Sequence, residues 1–260
     1  MLDIPMTPLS NDWLEVTEGF LIDLDGTLIR DGQALPGAAR LLERLQGRFM
    51  VVSNNSTDEA SGLARSLQRL GLPITAEQLV LAGEVAVRWV ARHHPQWRVM
   101  IAGSESLVAL ARMLGLELTQ QSPDAVLLAR DIHFDYQRLT GISNLLRQGA
   151  RLLVTNPDTA HPGAGERGVV PETGALMQAV MACSGVSPDR VFGKPESALF
   201  EEALRRLGIE QRRAVVIGDN PQTDGFGAHR LGMPCLLVGV GSGRVAKNPD
   251  GLLETVFNTV

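Results

Sequence analysis

Short apolar runs rich in β-branched residues alternate along the chain with longer segments whose apolar positions recur at helical spacing. The apolar runs predict strands at Phe20–Leu24, Phe49–Ser53, Val99–Ala102, Ala125–Ala129, Arg151–Thr155, Ala214–Gly218 and Cys235–Val240. The helical spacing predicts helices at Ala38–Gln46, Asp58–Leu70, Glu84–His93, Glu105–Leu114, Tyr136–Gln148, Ser197–Leu207 and Thr223–Leu231. Glycines typical of helix C-caps follow five of these segments, at Gly71, Gly115, Gly149, Gly208 and Gly232.

This alternation of strands and helices is typical of parallel sheets with helices on both faces. Strands in such sheets are buried on both sides, and the continuous apolar runs fit that arrangement better than an alternating polar pattern would. The sequence therefore predicts an α/β protein with a Rossmann-like, doubly wound parallel-sheet core.

Two aspartates interrupt the first apolar run, in the stretch FLIDLDGTLI. An unpaired carboxylate is costly to bury, so Asp23 and Asp25 are expected at the end of the strand and not inside it. Gly26 then permits a tight turn, and Thr27 adds a hydroxyl. Ligands bind beyond the carboxyl ends of parallel strands, which makes this end a candidate functional site.

Two further strands end in polar residues that we expect at the same edge. The second predicted strand ends in Ser53 and is followed by Asn54 and Asn55. A later strand is followed by Asp219 and, five residues on, by Asp224. Carboxylate oxygens from separate strands suit a hard cation such as Mg²⁺.

The same edge has the ingredients for phosphoryl transfer. A strand-end aspartate near a hard cation can act as a nucleophile on phosphorus, forming an aspartyl phosphate. The phosphoryl oxygens then need positive charge and hydrogen-bond donors. Lys194, just before a predicted helix, supplies the charge, and Ser53 and the amides after it supply neutral donors.

Composition narrows the function further. The chain has 260 residues, of which 44% are hydrophobic and 20% charged, so an ordinary globular core is expected. A net charge of −5 argues against binding nucleic acid. Cys183 and Cys235 form no metal or redox motif, which favours a reducing cytoplasm. The amino-terminal stretch lacks a signal-peptide pattern, and no apolar run reaches the length of a membrane span.

Four short motifs occur in a fixed order: DLDGT, VSNNST, GKP and GDNPQTD. In that order the chain resembles the haloacid dehalogenase superfamily of phosphatases, and the resemblance covers nearly the whole chain. LPGA at Leu35–Ala38, the pair Asn54–Asn55 and TNPD at Thr155–Asp158 resemble the subfamily with a large α/β cap (type IIA). That group includes nucleotide monophosphatases, p-nitrophenyl phosphatases, and phosphoglycolate or pyridoxal phosphate phosphatases.

The resemblance implies a role for each motif residue. Asp23 matches the nucleophile, and Asp25 matches the general acid that protonates the leaving oxygen and later activates water. Lys194 matches the lysine that restrains the nucleophile and the phosphoryl oxygens. Ser53 matches the phosphate-binding residue of the second motif, with Asn54 beside it.

The resemblance also implies a metal site. Asp219 matches a Mg²⁺ ligand, together with Asp23 and the backbone carbonyl of Asp25. Asp224 matches the second acid of the last motif, as an outer or water-mediated partner. Separately from the metal site, Asn55 is a further candidate phosphate-binding residue, next to Ser53 and Asn54.

About 140 residues separate Ser53 from Lys194, far more than one strand–helix unit needs. We therefore expect an inserted α/β cap domain at 80–178, with the catalytic core at 1–79 and 179–260. A cap of this kind would exclude water and contact the leaving group. Arg130 and Asp158, in loops after two of its strands, are the candidate specificity residues, and the cap is also the expected surface of a homodimer.

The expected function is a soluble, Mg²⁺-dependent phosphatase acting on a small phosphorylated metabolite, with no nucleic-acid or membrane partner. Alternatives are a phosphomutase or phosphotransferase, a phosphoprotein phosphatase and a non-catalytic phosphometabolite-binding regulator. Among the motif residues, Ser53–Asn55 would also serve as a helix N-cap. Arg130 and Asp158 would alternatively be ordinary loop residues that face solvent or cap a helix.

Overall fold

The computed structural model describes residues 16–162, 168–239 and 244–257. In chain order its strands are β1 (Gly19–Ile22), β2 (Ile29–Arg30), β3 (Gln33–Ala34), β4 (Phe49–Ser53), β5 (Leu79–Leu81), β6 (Arg98–Ala102), β7 (Glu117–Leu118), β8 (Ala125–Leu128), β9 (Arg151–Val154), β10 (Ala160–Pro162), β11 (Val169–Pro171), β12 (Arg190–Val191), β13 (Ala214–Gly218) and β14 (Cys235–Leu237).

Helices connect most of these strands. The α-helices are α1 (Ala38–Arg44), α2 (Ala60–Arg69), α3 (Ala82–His93), α4 (Glu105–Met113), α5 (Tyr136–Arg147), α6 (Thr173–Ser184), α7 (Ala198–Leu207), α8 (Phe226–Arg230) and α9 (Pro249–Leu252). Short 3₁₀ turns lie at Ala76–Gln78 and Gln211–Arg213, and wider π turns at Pro221–Gly225 and Leu253–Phe257. No helix in the described ranges is both long and apolar enough to cross a bilayer.

The chain divides into two compact units. The first, called the core unit, comprises the chain up to Ser53, Ala60–Val80 and the chain from Lys194 onwards. The second, called the inserted unit, comprises Asn54–Glu59 and Leu81–Gly193. We describe each unit separately.

The core unit is built on a five-stranded sheet in the order β14-β13-β1-β4-β5. β1 pairs in parallel with both β13 and β4, and β13 pairs in parallel with β14. All residues of β1, β4 and β13 are buried, because helices cover both faces of such a sheet. The order along the chain reverses between β1 and β13, which opens a crevice at the carboxyl ends of these two strands.

The inserted unit has its own five-stranded sheet, in the order β12-β9-β8-β6-β7, with parallel pairing throughout. Residues of β6, β8 and β9 pack with helices α5 and α6 in one buried apolar cluster that includes Met100, Val126, Ile142, Leu152 and Val180. Together the two sheets confirm the predicted α/β fold class with parallel sheets.

The inserted unit extends beyond the predicted 80–178. It continues to Gly193 and includes the short segment Asn54–Glu59. The reason is packing: α6 continues to Ser184 with Val180 in the apolar cluster, and β12 pairs with β9. That this unit serves as a substrate cap stays a prediction.

Several local elements differ from the sequence-based expectation. Helix α6 was not predicted, because its sequence TGALMQAVMACS is apolar on nearly every face and lacks an amphipathic stripe. Strand β5 was missed because three residues carry too little periodicity. The predicted helix Thr223–Leu231 is instead a π turn followed by α8, and the predicted strand from Cys235 ends at Leu237.

Candidate active site

Asp23 lies directly after β1, at the carboxyl edge of the core sheet. Its backbone N–H donates to Ile217 O on β13 at 2.8 Å, which extends the strand pairing by one residue. The side chain is buried, and its Oδ2 accepts a hydrogen bond of 2.9 Å from the Thr27 hydroxyl. The fold therefore holds this carboxylate in one orientation.

Lys194 provides the counter-charge for Asp23. Its Nζ lies 2.6 Å from Asp23 Oδ1 and 2.8 Å from Asp224 Oδ1, and only 3% of the residue is exposed. Burial alone would lower the pKa of this lysine, but the carboxylates of Asp224 and Asp23 outweigh it, so the pKa is raised. The ammonium group therefore stays charged.

Asp224 reaches this lysine from a wide turn. Both Asp224 N and Gly225 N donate to Asn220 O, at 2.9 and 3.2 Å, and the second bond is the i to i+5 bond that defines a π turn. Asp224 Oδ2 accepts in return from Asn220 N at 3.2 Å. A regular helix from Thr223 was predicted here, and the turn replaces it because Asn220 organises the backbone around the buried carboxylate.

Asp219 follows β13 and completes a group of three carboxylates with Asp23 and Asp224. Burial raises the pKa of Asp219, and the neighbouring charge of Asp23 raises it further. Burial likewise raises the pKa of Asp224, although Lys194 opposes the shift. The pKa values of Asp219 and Asp224 are both raised. The single positive charge of Lys194 therefore does not balance the negative charge of the three acids.

A divalent metal fits this group. One carboxylate oxygen from each of the three aspartates lies within 4.8 Å of the others. Mg²⁺ binds oxygen at about 2.1 Å, so two ligands on opposite sides of it stand about 4.2 Å apart. The spacing, the ligand type and the excess negative charge all suit a hard cation.

Glycine is required beside this group. Gly26 has φ of +89°, and a Cβ built on it would lie 2.1 Å from Asp219 Oδ2. The turn after β1 thus brings backbone against the Asp219 carboxylate, where only glycine leaves room.

Asp25 and Ser53 are also placed at this edge by the strands that precede them. Asp25 lies three residues after the end of β1 and is exposed; its carboxylate is not part of the three-acid group. An exposed acid two residues from buried Asp23 is suited to exchange protons with a leaving group or water. Ser53 is the last residue of β4 and is 1% exposed.

The remaining predicted site residues belong to the inserted unit. Asn55 caps a turn: its Oδ1 accepts from Thr57 N and Asp58 N at 2.9 and 3.0 Å, and its Nδ2 donates to Asp58 at 2.8 Å. These bonds close a turn ahead of α2, which begins at Ala60, so Asn55 does not occupy the N-cap position of that helix. Asn54 Nδ2 donates to Asp158 Oδ2 at 3.0 Å, so Asn54 and Asp158 are brought together.

Arg130 lies in a charged cluster that sequence reasoning missed in part. Its Nε is 3.5 Å from Glu172 Oε1, and the same oxygen lies 2.7 Å from His161 Nδ1. His161 lies in β10, three residues after the predicted specificity residue Asp158. Glu172 was not among the predicted site residues, because it is a single acid between a strand and a helix that had not been predicted.

Comparison with known families agrees with this geometry. A model of haloacid dehalogenase-like hydrolases matches residues 20–117, and a second model, described as HAD-hydrolase-like, matches residues 191–256. The two matches contain Asp23, Ser53, Lys194, Asp219 and Asp224.

Individual relatives are phosphatases. The 5'-nucleotidase YutF of Bacillus subtilis is 31% identical over 232 residues, which are 88% of this chain and 89% of that protein. The crystal structure of 4-nitrophenylphosphatase from Thermotoga maritima has a TM-score of 0.86 at 28% identity and covers 94% of this chain and 99% of its own.

A third relative carries a metal. The crystal structure of glycerol phosphate phosphatase from Mycobacterium tuberculosis in complex with magnesium has a TM-score of 0.79 at 34% identity. The match covers 88% of this chain and 70% of that chain. Similarity to these proteins extends over both units.

Proposed function

The chain belongs to the haloacid dehalogenase-like hydrolases and is a phosphoric monoester hydrolase, and we propose that it uses Mg²⁺ and a phosphoaspartate at Asp23 to hydrolyse small phosphorylated metabolites. One observation carries the proposal: buried Lys194 joins Asp23 to Asp224, and Asp219 completes the group of acids. A purely structural ion pair would need no third carboxylate, here that of partly buried Asp219, and no glycine pressed against it.

Asp23 is suited to attack phosphorus. Thr27 and Lys194 hold its two oxygens in a fixed direction, and fixed orientation lowers the barrier of a displacement. In the first step an Asp23 oxygen bonds to phosphorus while the bond from phosphorus to the leaving oxygen breaks, and Asp25 donates its proton to that oxygen. Lys194 stabilises charge on the phosphoryl oxygens.

The second step regenerates the enzyme. Asp25, now ionised, takes a proton from water, and the water oxygen bonds to the phosphorus of phosphoaspartate as the bond to Asp23 breaks. Inorganic phosphate leaves and Asp23 is restored. Mg²⁺, held by Asp23 and Asp219 with Asp224 beside them, would neutralise negative charge on the phosphoryl group.

Small phosphomonoesters are the proposed substrates. The named activities of the relatives concern 5'-nucleotides, glycerol phosphate and 4-nitrophenyl phosphate. We assign recognition of the leaving group to the cluster of Arg130, His161 and Glu172, whose partly exposed side chains offer both donors and acceptors. Contacts of this kind act on particular leaving groups, whereas the core residues act on the phosphoryl group that all substrates share.

The test is a substrate panel with Mg²⁺: adenosine 5'-monophosphate, glycerol 3-phosphate and 4-nitrophenyl phosphate. Wild type should release phosphate, and Asp25→Asn, quenched in acid during turnover, should carry phosphate on the peptide that contains Asp23. The double variant Asp23→Asn, Asp25→Asn is the matched control and should carry none. Phosphate release without any labelled peptide in Asp25→Asn would contradict the covalent route.

Specificity is tested on the same panel. Arg130→Ala should change the ranking of the first two substrates while hydrolysis of 4-nitrophenyl phosphate falls less than about tenfold, or about 1.4 kcal/mol. An equal loss on all three substrates would assign Arg130 to folding or to the common step.

A further inference from the structure

We infer that Asn156 and Asp158 are positioning residues of the phosphoryl-transfer step, which act by orienting Asn54, the residue that follows phosphate-binding Ser53. The inference rests on the proposed function. It reassigns Asp158, which the sequence suggested as a specificity residue, and it adds Asn156, which had no assigned role.

Asn156 holds the backbone of Asn54. It is fully buried, and its Nδ2 donates to Asn54 O at 2.9 Å. In a trans peptide the C=O and the following N–H point in opposite directions, so fixing this carbonyl also fixes the direction of the Asn55 N–H. Backbone amides after Ser53 are the neutral donors that the phosphate site needs, and their direction decides whether they are useful.

Asp158 holds the side chain of the same residue. Its Oδ2 accepts from Asn54 Nδ2 at 3.0 Å, and its own N–H donates to Asn156 Oδ1 at 3.1 Å. The turn that follows β9 therefore bonds Asn54 twice: Asn156 binds its backbone carbonyl, and Asp158 binds its side-chain amide. A carboxylate fixed in this way holds the Asn54 side-chain amide in one direction.

Further hydrogen bonds and close packing hold this turn in place. Asn156 Nδ2 also lies 3.1 Å from Thr173 Oγ1 and 3.3 Å from Ser56 Oγ. Gly174 N donates to Asp158 O at 2.7 Å, and a Cβ on Gly174 would lie 2.1 Å from the carbonyl oxygen of Pro157. A support held by buried hydrogen bonds of this kind is what keeps a functional group within the tolerance that catalysis requires.

The residue before Lys194 also packs against Asn156. Gly193 immediately precedes Lys194, and a Cβ on Gly193 would lie 2.6 Å from Asn156 Cβ and 2.7 Å from Asn54 Oδ1. Asn156 thus packs against the residue after Ser53 and the residue before Lys194. Both Ser53 and Lys194 are assigned to the phosphoryl group, so loss of this packing should affect every substrate alike.

The conservative substitution separates the two roles of Asp158. In Asp158→Asn an amide oxygen can still accept from Asn54, whereas the charge needed to bind a substrate group is gone. In Asp158→Ala the acceptor is lost. A positioning role predicts that Asp158→Asn retains most of the activity lost by Asp158→Ala.

The experiment measures kcat and KM for wild type, Asp158→Ala, Asp158→Asn, Asn54→Ala and the Asn54→Ala, Asp158→Ala double variant on the three-substrate panel. Asp158→Ala should lower kcat/KM about tenfold or more on all three substrates, since a misplaced group can cost about 100-fold. Asp158→Asn should stay within about threefold of wild type, and the double variant should match Asn54→Ala.

Controls keep the outcomes distinct. Asp135→Ala removes an N-cap in the same unit, where Asp135 accepts from Arg138 N at 2.7 Å, and should lower Tm without lowering kcat/KM. Substrate-dependent losses, an Asp158→Asn as impaired as Asp158→Ala, or additive effects in the double variant would overturn the inference. An inactive wild type would instead overturn the proposed function.

Discussion

Nζ of Lys194 lies 2.6 Å from Oδ1 of Asp23, although the two residues are 171 positions apart and both are buried. The contact joins the end of β1 to the segment before α7. It balances a charge that the core sheet could not otherwise keep at this edge, and it fixes the direction of the proposed nucleophile.

Lys194→Met should remove both activity and stability. The substitution keeps most of the side-chain volume but leaves two buried carboxylates without their counter-charge, so the free energy of unfolding should fall by about 3 kcal/mol or more. Loss of a donor to the phosphoryl oxygens should lower kcat at least about 100-fold. Urea denaturation and a 4-nitrophenyl phosphate assay measure the two effects.

Lys247→Met is the matched control, because Lys247 is the other lysine of the chain and is exposed. It should leave both quantities unchanged. A stable Lys194→Met variant with normal turnover would show that the contact with Asp23 has no role in either.

Asp23→Asn should abolish turnover, since an amide does not attack phosphorus. Loss of a nucleophile costs several orders of magnitude, so activity should fall at least about 1,000-fold while circular dichroism stays native. Asp31→Asn, the same substitution in the exposed turn between β2 and β3, should be fully active. More than a tenth or so of wild-type activity in Asp23→Asn would end the covalent mechanism.

Gly26→Ala should damage the metal site, because the added Cβ would lie 2.1 Å from Asp219 Oδ2. Gly32 is a control with matched backbone: its φ is +72°, and a Cβ there has nothing within 4 Å. Each alanine should cost about 1 kcal/mol for the left-handed conformation. Only Gly26→Ala should also raise the Mg²⁺ concentration needed for activity, as measured by titration; equal titrations would contradict the proximity to Asp219.

Asp219→Asn should stabilise the metal-free protein at neutral pH. Burial and Asp23 raise the pKa of Asp219 in the folded state. Its contribution to stability is therefore present below the unfolded pKa of about 3.9 and lost as pH rises through the folded pKa. In EDTA, Tm of Asp219→Asn should exceed that of wild type at pH 8 and converge with it at pH 4. A lower Tm at pH 8 would contradict the charge imbalance.

Removal of the metal should abolish the phosphatase activity. Activity should vanish in EDTA and return with Mg²⁺, and Ca²⁺ should restore little. Mg²⁺ demands a compact octahedron at about 2.1 Å, whereas Ca²⁺ is larger and takes more ligands, which would let Asp23 coordinate in a way that spoils its attack. Full activity of metal-free protein would refute the metal-binding role of Asp219.

Much of the fold could be predicted from local pattern. Strand β4 lies at the predicted Phe49–Ser53 and β13 at Ala214–Gly218. The glycines predicted as helix C-caps all have positive φ, between 68° at Gly232 and 107° at Gly149. The periodicity of apolar residues and the positive φ of a C-cap glycine both depend on residues that are adjacent in sequence. They can therefore be predicted from the sequence alone.

The location of Asp23, Ser53 and Asp219 at one edge could be predicted from the sequence alone, because each closes or follows a parallel strand and such strands end together. Tertiary packing alone shows that Lys194 bonds Asp224 together with Asp23, that Asp224 lies in a π turn, and that Asn156 bonds the backbone of Asn54. These contacts join segments far apart in the chain. Their distances depend on strand order and side-chain packing, which no local pattern encodes.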